Sequence, residues 1–169
     1  VFRLQSLMCI RYRSITRLII LHSLFWFVVQ MSIAHLGTRI PKSFFEKYSY
    51  LFRSFQWEEN GELWDHTLKV SKWKRLIPEG AQINKDIYDK SKLSLNIEET
   101  RRLLLEMRRA ELIHWISILP VWLFVKAPRY IKMINIAYVL FSHLPVIVAQ
   151  RYNRPRIERL IRIIEKRGK

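Results

Sequence analysis

The feature that most constrains the fold is a run of 19 residues, 18–36, that carries no formal charge (LIILHSLFWFVVQMSIAHL). A helix needs about 20 apolar residues to cross the hydrocarbon core of a bilayer. Arg11, Arg13 and Arg17 precede the run, and such residues favour the cytoplasmic side, so we expect the N-terminus there. A secretory signal peptide has the same basic start, but Leu36–Arg39 is a poor cleavage site. We therefore expect a retained anchor helix.

Two further apolar segments lie near the C-terminus. Leu112–Val125 has 14 residues and is too short to span alone. The Asn96/Glu99 pattern resembles a capping box, so we expect its helix to begin there and to kink at Pro120. The segment 133–150 has 18 residues without a formal charge, and the short basic connection 126–129 predicts a helical hairpin. Three full spans would place two basic termini on opposite sides, so the sequence leaves the topology open.

Two other stretches have the pattern of interfacial amphipathic helices. Aromatic and aliphatic residues recur at helical spacing after Pro41, namely Phe44, Phe45, Tyr48, Leu51, Phe52 and Phe55. After Pro155 an apolar stripe lies opposite a basic one: Ile157, Leu160, Ile161 and Ile164 against Arg156, Arg159, Arg162 and Lys166. The second pattern suits a helix on anionic lipid, and a partner-binding helix is the alternative.

These segments predict an all-α membrane protein. It would combine an N-terminal transmembrane helix, amphipathic interfacial helices and a C-terminal helical hairpin. Residues 1–17 would form a basic tail, and 18–169 a single membrane-embedded domain. Within that domain we expect an anchor at 18–36, an interfacial and polar middle at 37–95, the hairpin at 96–150 and a basic amphipathic tail at 151–169.

The positive charge is concentrated beside the apolar segments. Lys and Arg number 30 and Asp and Glu 14, giving a net charge of +16. Residues 39–125 are nearly balanced, with 15 basic and 12 acidic groups, whereas 126–169 carry 11 and two. This distribution is typical of contacts with lipid headgroups and argues against nucleic acid as a partner. We therefore expect an integral membrane protein. Cys9 is the single cysteine, which excludes an intrachain disulfide.

Familiar catalytic motifs of soluble enzymes are absent. The sequence has no G-x-S-x-G elbow, no Gly-rich phosphate loop and no C-x-x-C, and no His is followed four or five residues later by Asp. We therefore expect neither a cofactor nor a metal site, and any chemistry must rest on other residues.

The strongest catalytic candidates are His114 and Glu111. They lie three residues apart on a helical face whose other members, Leu104 and Met107, predict burial. A buried carboxylate and imidazole are costly unless they are paired or used. Glu111 would orient His114 as a general base. A structural polar pair is an equal alternative, and a di-iron site would require a second Glu-x-x-His motif that the chain lacks.

The remaining histidines are weaker candidates. His22, His35 and His143 lie in or at the ends of apolar segments, where packing is the expected role. His66 lies in the polar middle and is a possible second site residue.

Two polar clusters are candidate substrate-binding sites. Arg151, Asn153 and Arg154 combine guanidinium and amide donors that suit phosphate or sugar hydroxyls, although an ordinary positive flank has the same composition. Trp73 and Lys74 belong to a second cluster, with Trp57, Trp64, Lys72 and Arg75. Such residues anchor proteins at the membrane interface, and their aromatic faces can also stack on sugar rings.

Several strings resemble the glycosyl-4,4'-diaponeurosporenoate acyltransferases of staphyloxanthin-type carotenoid synthesis. They are IAHLGTRIP (33–41), NGELW (60–64), KWK (72–74), NKDIYD (84–89), RRAELIHWISILPV (108–121) and VAQRYNRPR (148–156). The resemblance covers roughly residues 20–168. Residues 1–15 fall outside it, and Met8 is an equally good start of the chain.

The resemblance implies an acyltransferase that esterifies the glucose C6 hydroxyl of a glycosylated C30 carotenoid. The acyl group would be long and often branched, and the reaction the last step of the pathway. The implied partners are lipids, namely the carotenoid and a donor such as acyl-CoA or acyl-carrier protein. Under it, His114 takes the hydroxyl proton, and Arg151, Asn153 and Arg154 hold the donor's phosphate or the oxyanion. The alternatives are a non-enzymatic membrane scaffold or subunit, and an acyltransferase for another glycolipid.

Overall fold

The computed structural model describes residues 2–77 and 97–167, and within these ranges the chain is almost entirely helical without strands. The α-helices of the described residues are α1 (Phe2–Thr38), α2 (Lys42–Lys47), α3 (Glu62–Leu68), α4 (Val70–Trp73), α5 (Ile97–Ile118) and α6 (Arg129–Arg167). The predicted all-α class is confirmed for this part of the chain. Asn96 of the predicted capping box and the string 84–89 lie outside the described residues.

The long helices α5 and α6 pack antiparallel as a hairpin. Near one end Arg101 pairs with Glu165, and near the other His114 contacts His143. Between them Leu104, Met107, Ile157 and Ile161 form an apolar core. The connection is a 3₁₀ segment, Leu119–Phe124. The α-helix ends just before Pro120, because proline lacks the amide that the helical pattern requires.

Helix α6 runs unbroken for 39 residues and contains both Pro145 and Pro155. The stretch after Pro155 is therefore a continuation of the hairpin helix. Its apolar residues Ile157 and Ile161 are 4% and 9% exposed and contact α5. The interpretation of this stripe as a lipid-binding face is wrong for these two residues, because the facing stripe of α5 covers them.

Helix α1 packs beside the hairpin and parallel to α6. His22 stacks on Phe124, the indole of Trp26 donates a hydrogen bond to Asn135 Oδ1 at 2.6 Å, and Gln30 contacts His143. Further along, Gly37 abuts Ile113, whose side chain would lie 2.4 Å from an added Cβ. Between residues 15 and 38 of α1 most apolar side chains are exposed, for example Leu21 and Phe27.

In the part of the chain that the structure describes, two helical segments are long and apolar enough to cross a bilayer, Ile15–Thr38 and Arg129–Arg167. Only 6% of the apolar window of the first segment is buried inside the protein, and 28% of that of the second. Exposed apolar surface of this extent is compatible with a lipid environment.

The predicted amphipathic helix after Pro41 is shorter than expected. It forms α2 and a 3₁₀ segment, Ser49–Phe52. Phe45 and Phe52 are buried with Leu105 of α5, whereas Leu51 and Phe55 are exposed. Phe45 and Phe52 thus form a small core with α5, and this core fixes the following loop on the hairpin.

Candidate active site

A tight loop brings Glu58 against helix α6. In the segment Gln56–Gly61, three consecutive residues have positive φ: Glu59 (50°), Asn60 (56°) and Gly61 (92°). An added Cβ on Gly61 would lie 2.9 Å from the backbone oxygen of Tyr152 and 3.2 Å from that of Arg151. Glycine is required here for both its left-handed conformation and its close approach to α6.

The loop presents a fully buried carboxylate to Arg151. Nε and Nη2 of Arg151 donate to the two oxygens of Glu58 at 2.6 and 2.7 Å. The backbone N–H of Phe55 and the indole of Trp64 donate to the same carboxylate at 2.7 and 3.0 Å. Burial opposes ionisation of Glu58, but these hydrogen bonds, led by those from Arg151, outweigh it and hold its pKa below the ordinary value of 4.5.

Glu111 extends this ion pair into a buried chain of four charges. Arg151 donates through Nη1 to one oxygen of Glu111 at 2.8 Å, and Arg154 donates to the other. Arg154 is completely buried, and its Nε and Nη2 have no hydrogen-bond partner among the described residues. The chain Glu58–Arg151–Glu111–Arg154, called here the charge network, joins the loop, α5 and α6.

The other predicted binding residues lie next to this network. Lys74 is buried, donates to Asn153 Oδ1 at 3.0 Å and lies 4.6 Å from the centre of the Tyr152 ring. Trp73 packs on Val70 and Tyr152, and its indole donates to the carbonyl of Leu68. The structure thus brings both predicted clusters to one region of α6, where Lys74 and Asn153 bind each other.

The predicted partner of His114 is replaced by another residue. Both oxygens of Glu111 are bound by arginines, and Nδ1 of His114 lies 3.0 Å from Nδ1 of His143. Nε2 of His143 lies in turn 3.0 Å from the amide nitrogen of Gln30. The expectation that Glu111 orients His114 therefore needs correction, because Glu111 is bound by two arginines of α6 and His114 contacts a histidine of the same helix.

The chain Gln30–His143–His114, called here the histidine relay, has two proton arrangements. When the amide nitrogen of Gln30 donates to Nε2 of His143, the proton of His143 lies on Nδ1 and is donated to Nδ1 of His114. The proton of His114 then lies on its Nε2. Rotating the amide by 180° makes Gln30 an acceptor. His143 then accepts from Nδ1 of His114, and Nε2 of His114 is free to take a proton. The second arrangement is the one that a general base needs.

Comparison with known proteins decides the family. Residues 41–163 match the glycosyl-4,4'-diaponeurosporenoate acyltransferase family. Curated members from Staphylococcus aureus strains MRSA252 and USA300 are each 48% identical over 147 residues, covering 86% of this chain and 89% of theirs. The chain belongs to this family. No solved structure matches it.

Membership of the glycosyl-4,4'-diaponeurosporenoate acyltransferases confirms the resemblance and makes the chain an acyltransferase of this carotenoid pathway. The non-enzymatic scaffold is thereby set aside. The whole charge network lies within the matched residues 41–163, as do His114, His143, Lys74 and Asn153. Gln30 lies before that range.

Glu58, His143 and Gln30 are site residues that the sequence alone does not select. Glu58 lies in a stretch without clear periodicity, and its burial depends on contacts with α6. The only sequence signal for Glu58 is indirect: buried arginines such as Arg151 require carboxylate partners, and Glu58 is one of the available acids. The sequence favours a packing role for His143 and predicts no role for Gln30. Both are polar residues inside apolar segments, which is the signal that should have selected them.

Proposed function

We propose that this acyltransferase transfers a long-chain, often branched fatty acyl group to the glucose C6 hydroxyl of a glycosylated C30 carotenoid, as the last step of staphyloxanthin-type synthesis. The observation that carries the proposal is the position of His114. It lies on the same helix as Glu111, one turn further along, where the charge network gives way to the apolar part of the hairpin. A sugar hydroxyl and a hydrocarbon chain can meet at such a boundary.

In the proposed reaction Nε2 of His114 removes the proton of the C6 hydroxyl as its oxygen attacks the acyl carbonyl carbon. The C–O bond forms, and the carbonyl electron pair moves onto its oxygen. When the tetrahedral intermediate collapses, the bond to the leaving group breaks, and His114 returns the proton to that group. His143 and Gln30 keep the imidazole oriented throughout. Glu111 is then a positioning residue that acts through the arginines.

Arg154 is the proposed donor to the oxyanion. All three donor nitrogens of Arg151 are bound to Glu58 and Glu111, whereas Arg154 has two nitrogens without a partner among the described residues. Buried unpaired donors are costly unless they meet a ligand, and a developing oxyanion would satisfy them. Arg151 then holds the site together, and Lys74, Asn153 and Trp73 lie where the sugar or the donor's phosphate would bind.

The proposed setting is the bacterial cell membrane, with the charge network at its cytoplasmic face. In the described flanks on that side, 39–77, 97–111 and 151–167, there are 19 Lys and Arg, against seven in 2–17 and 126–132. The positive-inside rule therefore favours a cytoplasmic network, which a donor such as acyl-CoA or acyl-carrier protein also requires. This reverses the orientation expected from Arg11, Arg13 and Arg17 alone.

The reaction is tested in a host that makes the glycosylated carotenoid but lacks its acyltransferase. Expression of this chain should convert the pigment to an ester, and NMR of the product should place the acyl group on C6 of glucose. Acylation at another sugar position would overturn the assigned regiochemistry. A parallel host without the carotenoid genes tests the other-glycolipid alternative: new acylated glycolipids there, with the pigment unchanged in the first host, would contradict the proposed substrate.

A further inference from the structure

A groove between α1 and α6 is built from residues that the charge network and the histidine relay leave largely unused. It has a volume of about 410 Å³, and its walls include Ile19, Ser23, Phe27, Ile134 and Tyr138. This volume lies within the range of small-molecule sites, about 300–1,000 Å³. The groove lies on the apolar parts of both candidate spans, so a ligand would enter it from lipid.

Three polar residues of the groove, Trp26, Gln30 and Asn135, direct their polar groups toward other protein groups. Trp26 donates to Asn135 Oδ1, and the amide of Asn135 donates to the carbonyl of Ile131 at 2.8 Å. Gln30 is bound to His143. The surface left to a ligand is therefore mainly apolar, and it suits a hydrocarbon.

One end of the groove reaches the proposed catalytic base. Gln30 lines the groove and contacts His143, which contacts His114. From Gln30 the groove continues back along α1 to Ile19, 11 residues away, which corresponds to about 16 Å of helix. A chain lying in the groove would thus have its head at the histidine relay and its tail toward the connection between α5 and α6.

We propose that this groove holds the fatty acyl chain of the donor and sets the length of the chain transferred. The inference rests on the proposed function, because the proposed acyl transfer places the acyl carbonyl at the histidine relay. The groove has room for one flexible hydrocarbon chain. A conjugated C30 chain is longer than the groove and too stiff to fold into it, so the carotenoid lies elsewhere.

Two substitutions at the groove wall should shift the product in opposite directions. Ser23 is exposed at the wall, and Ser23→Phe narrows the groove; Ile134 is 65% exposed, and Ile134→Ala widens it. Mass spectrometry of the acylated pigment should show shorter chains for S23F and longer chains for I134A. The ratio of neighbouring chain lengths should change about fourfold per methylene, the effect expected for one buried CH₂.

The adjacent residues provide matched controls. Leu24 and Met133 are 56% and 55% exposed but do not line the groove, so Leu24→Phe and Met133→Ala should keep the wild-type distribution. Wild-type distributions in both S23F and I134A would overturn the proposal. A change in which carotenoid is accepted, with the acyl distribution constant, would also overturn it.

A binding measurement separates this inference from the proposed function. A photoreactive palmitoyl probe added to the purified protein should label peptides of α1 between 19 and 31 and of α6 near 134–138, and S23F should reduce the labelling. Such labelling together with no pigment acylation would reject the proposed function and keep the groove. Acylation with labelling confined to other segments would reject the groove alone.

Discussion

Arg151 donates two hydrogen bonds of 2.6 and 2.7 Å to the carboxylate of Glu58, although the two residues lie 93 positions apart in the sequence. The pair closes the loop Gln56–Gly61 onto α6, and the remaining nitrogen of the same guanidinium binds Glu111. One arginine thus connects the loop with both helices of the hairpin. Buried pairs with this geometry are strongly coupled, because loss of one partner leaves the other charge uncompensated.

Glu58→Gln should therefore destabilise the protein by about 3 kcal/mol, the scale observed for breaking a buried ion pair. The measurement is the free energy of unfolding, or the thermal midpoint, of the protein in detergent. Glu59→Gln is the matched control, because Glu59 is the neighbouring acid and is exposed. Equal stability of the two variants would show that the pair does not hold the loop.

The stabilisation by Glu58 should depend on pH in one direction. Hydrogen bonds hold the folded pKa of Glu58 below its ordinary value of 4.5. Its contribution is then fully present above pH 4.5 and is lost as the pH falls below 4.5 through the folded pKa. The difference in thermal midpoint between wild type and Glu58→Gln should be constant near neutrality and shrink in acid. A difference that grows in acid would contradict the lowered pKa.

The conformation of the loop gives a separate prediction. Gly61→Ala should be destabilising by about 2 kcal/mol or more, because φ is +92° and the added Cβ would lie 2.9 Å from a backbone oxygen of α6. Asn60→Gly is the control, since it relieves a positive φ of 56° without adding an atom and should be neutral or stabilising. Thermal unfolding of both variants measures the effect. Unchanged stability of Gly61→Ala would mean that the loop does not approach α6 so closely.

The helices were predictable because their signals are local. The apolar run 18–36 and the segment 133–150 both lie in long helices, and Pro120 marks the end of α5. The continuation of α6 through Pro155 was not predictable, because a proline normally ends a helix and the packing of Ile157 and Ile161 on α5 outweighs this preference.

The site was predictable in its residues but not in their pairing. Spacing selected His114, Glu111, Arg151 and Arg154, yet the partner of each depends on how α5 and α6 face each other. Residues Glu111 and His114 share a helix, and their separation of three positions suggests mutual contact. The structure instead gives each a partner from α6, at a sequence distance that no local pattern reports.

The orientation in the membrane predicts which residues a label can reach. In a Cys9→Ser background, single cysteines at the exposed positions Lys69 and Lys126 test opposite sides. A membrane-impermeant thiol reagent applied to intact cells should label Lys126→Cys and spare Lys69→Cys until the membrane is opened. Labelling of Lys69→Cys from outside would contradict a cytoplasmic charge network and the acyl-CoA or acyl-carrier-protein donor.

The most direct test of the account is the initial rate of acyl ester formation by His114→Ala, with His143→Ala, Gln30→Leu and His35→Ala measured beside it. Loss of a general base should lower the rate of His114→Ala by about 10²–10⁴-fold. His143→Ala and Gln30→Leu should lose less and show an altered pH profile, because these residues orient the base and do not themselves take the hydroxyl proton. His35 is exposed at the end of α1, and its replacement should change nothing. A wild-type rate for His114→Ala would contradict the proposed mechanism.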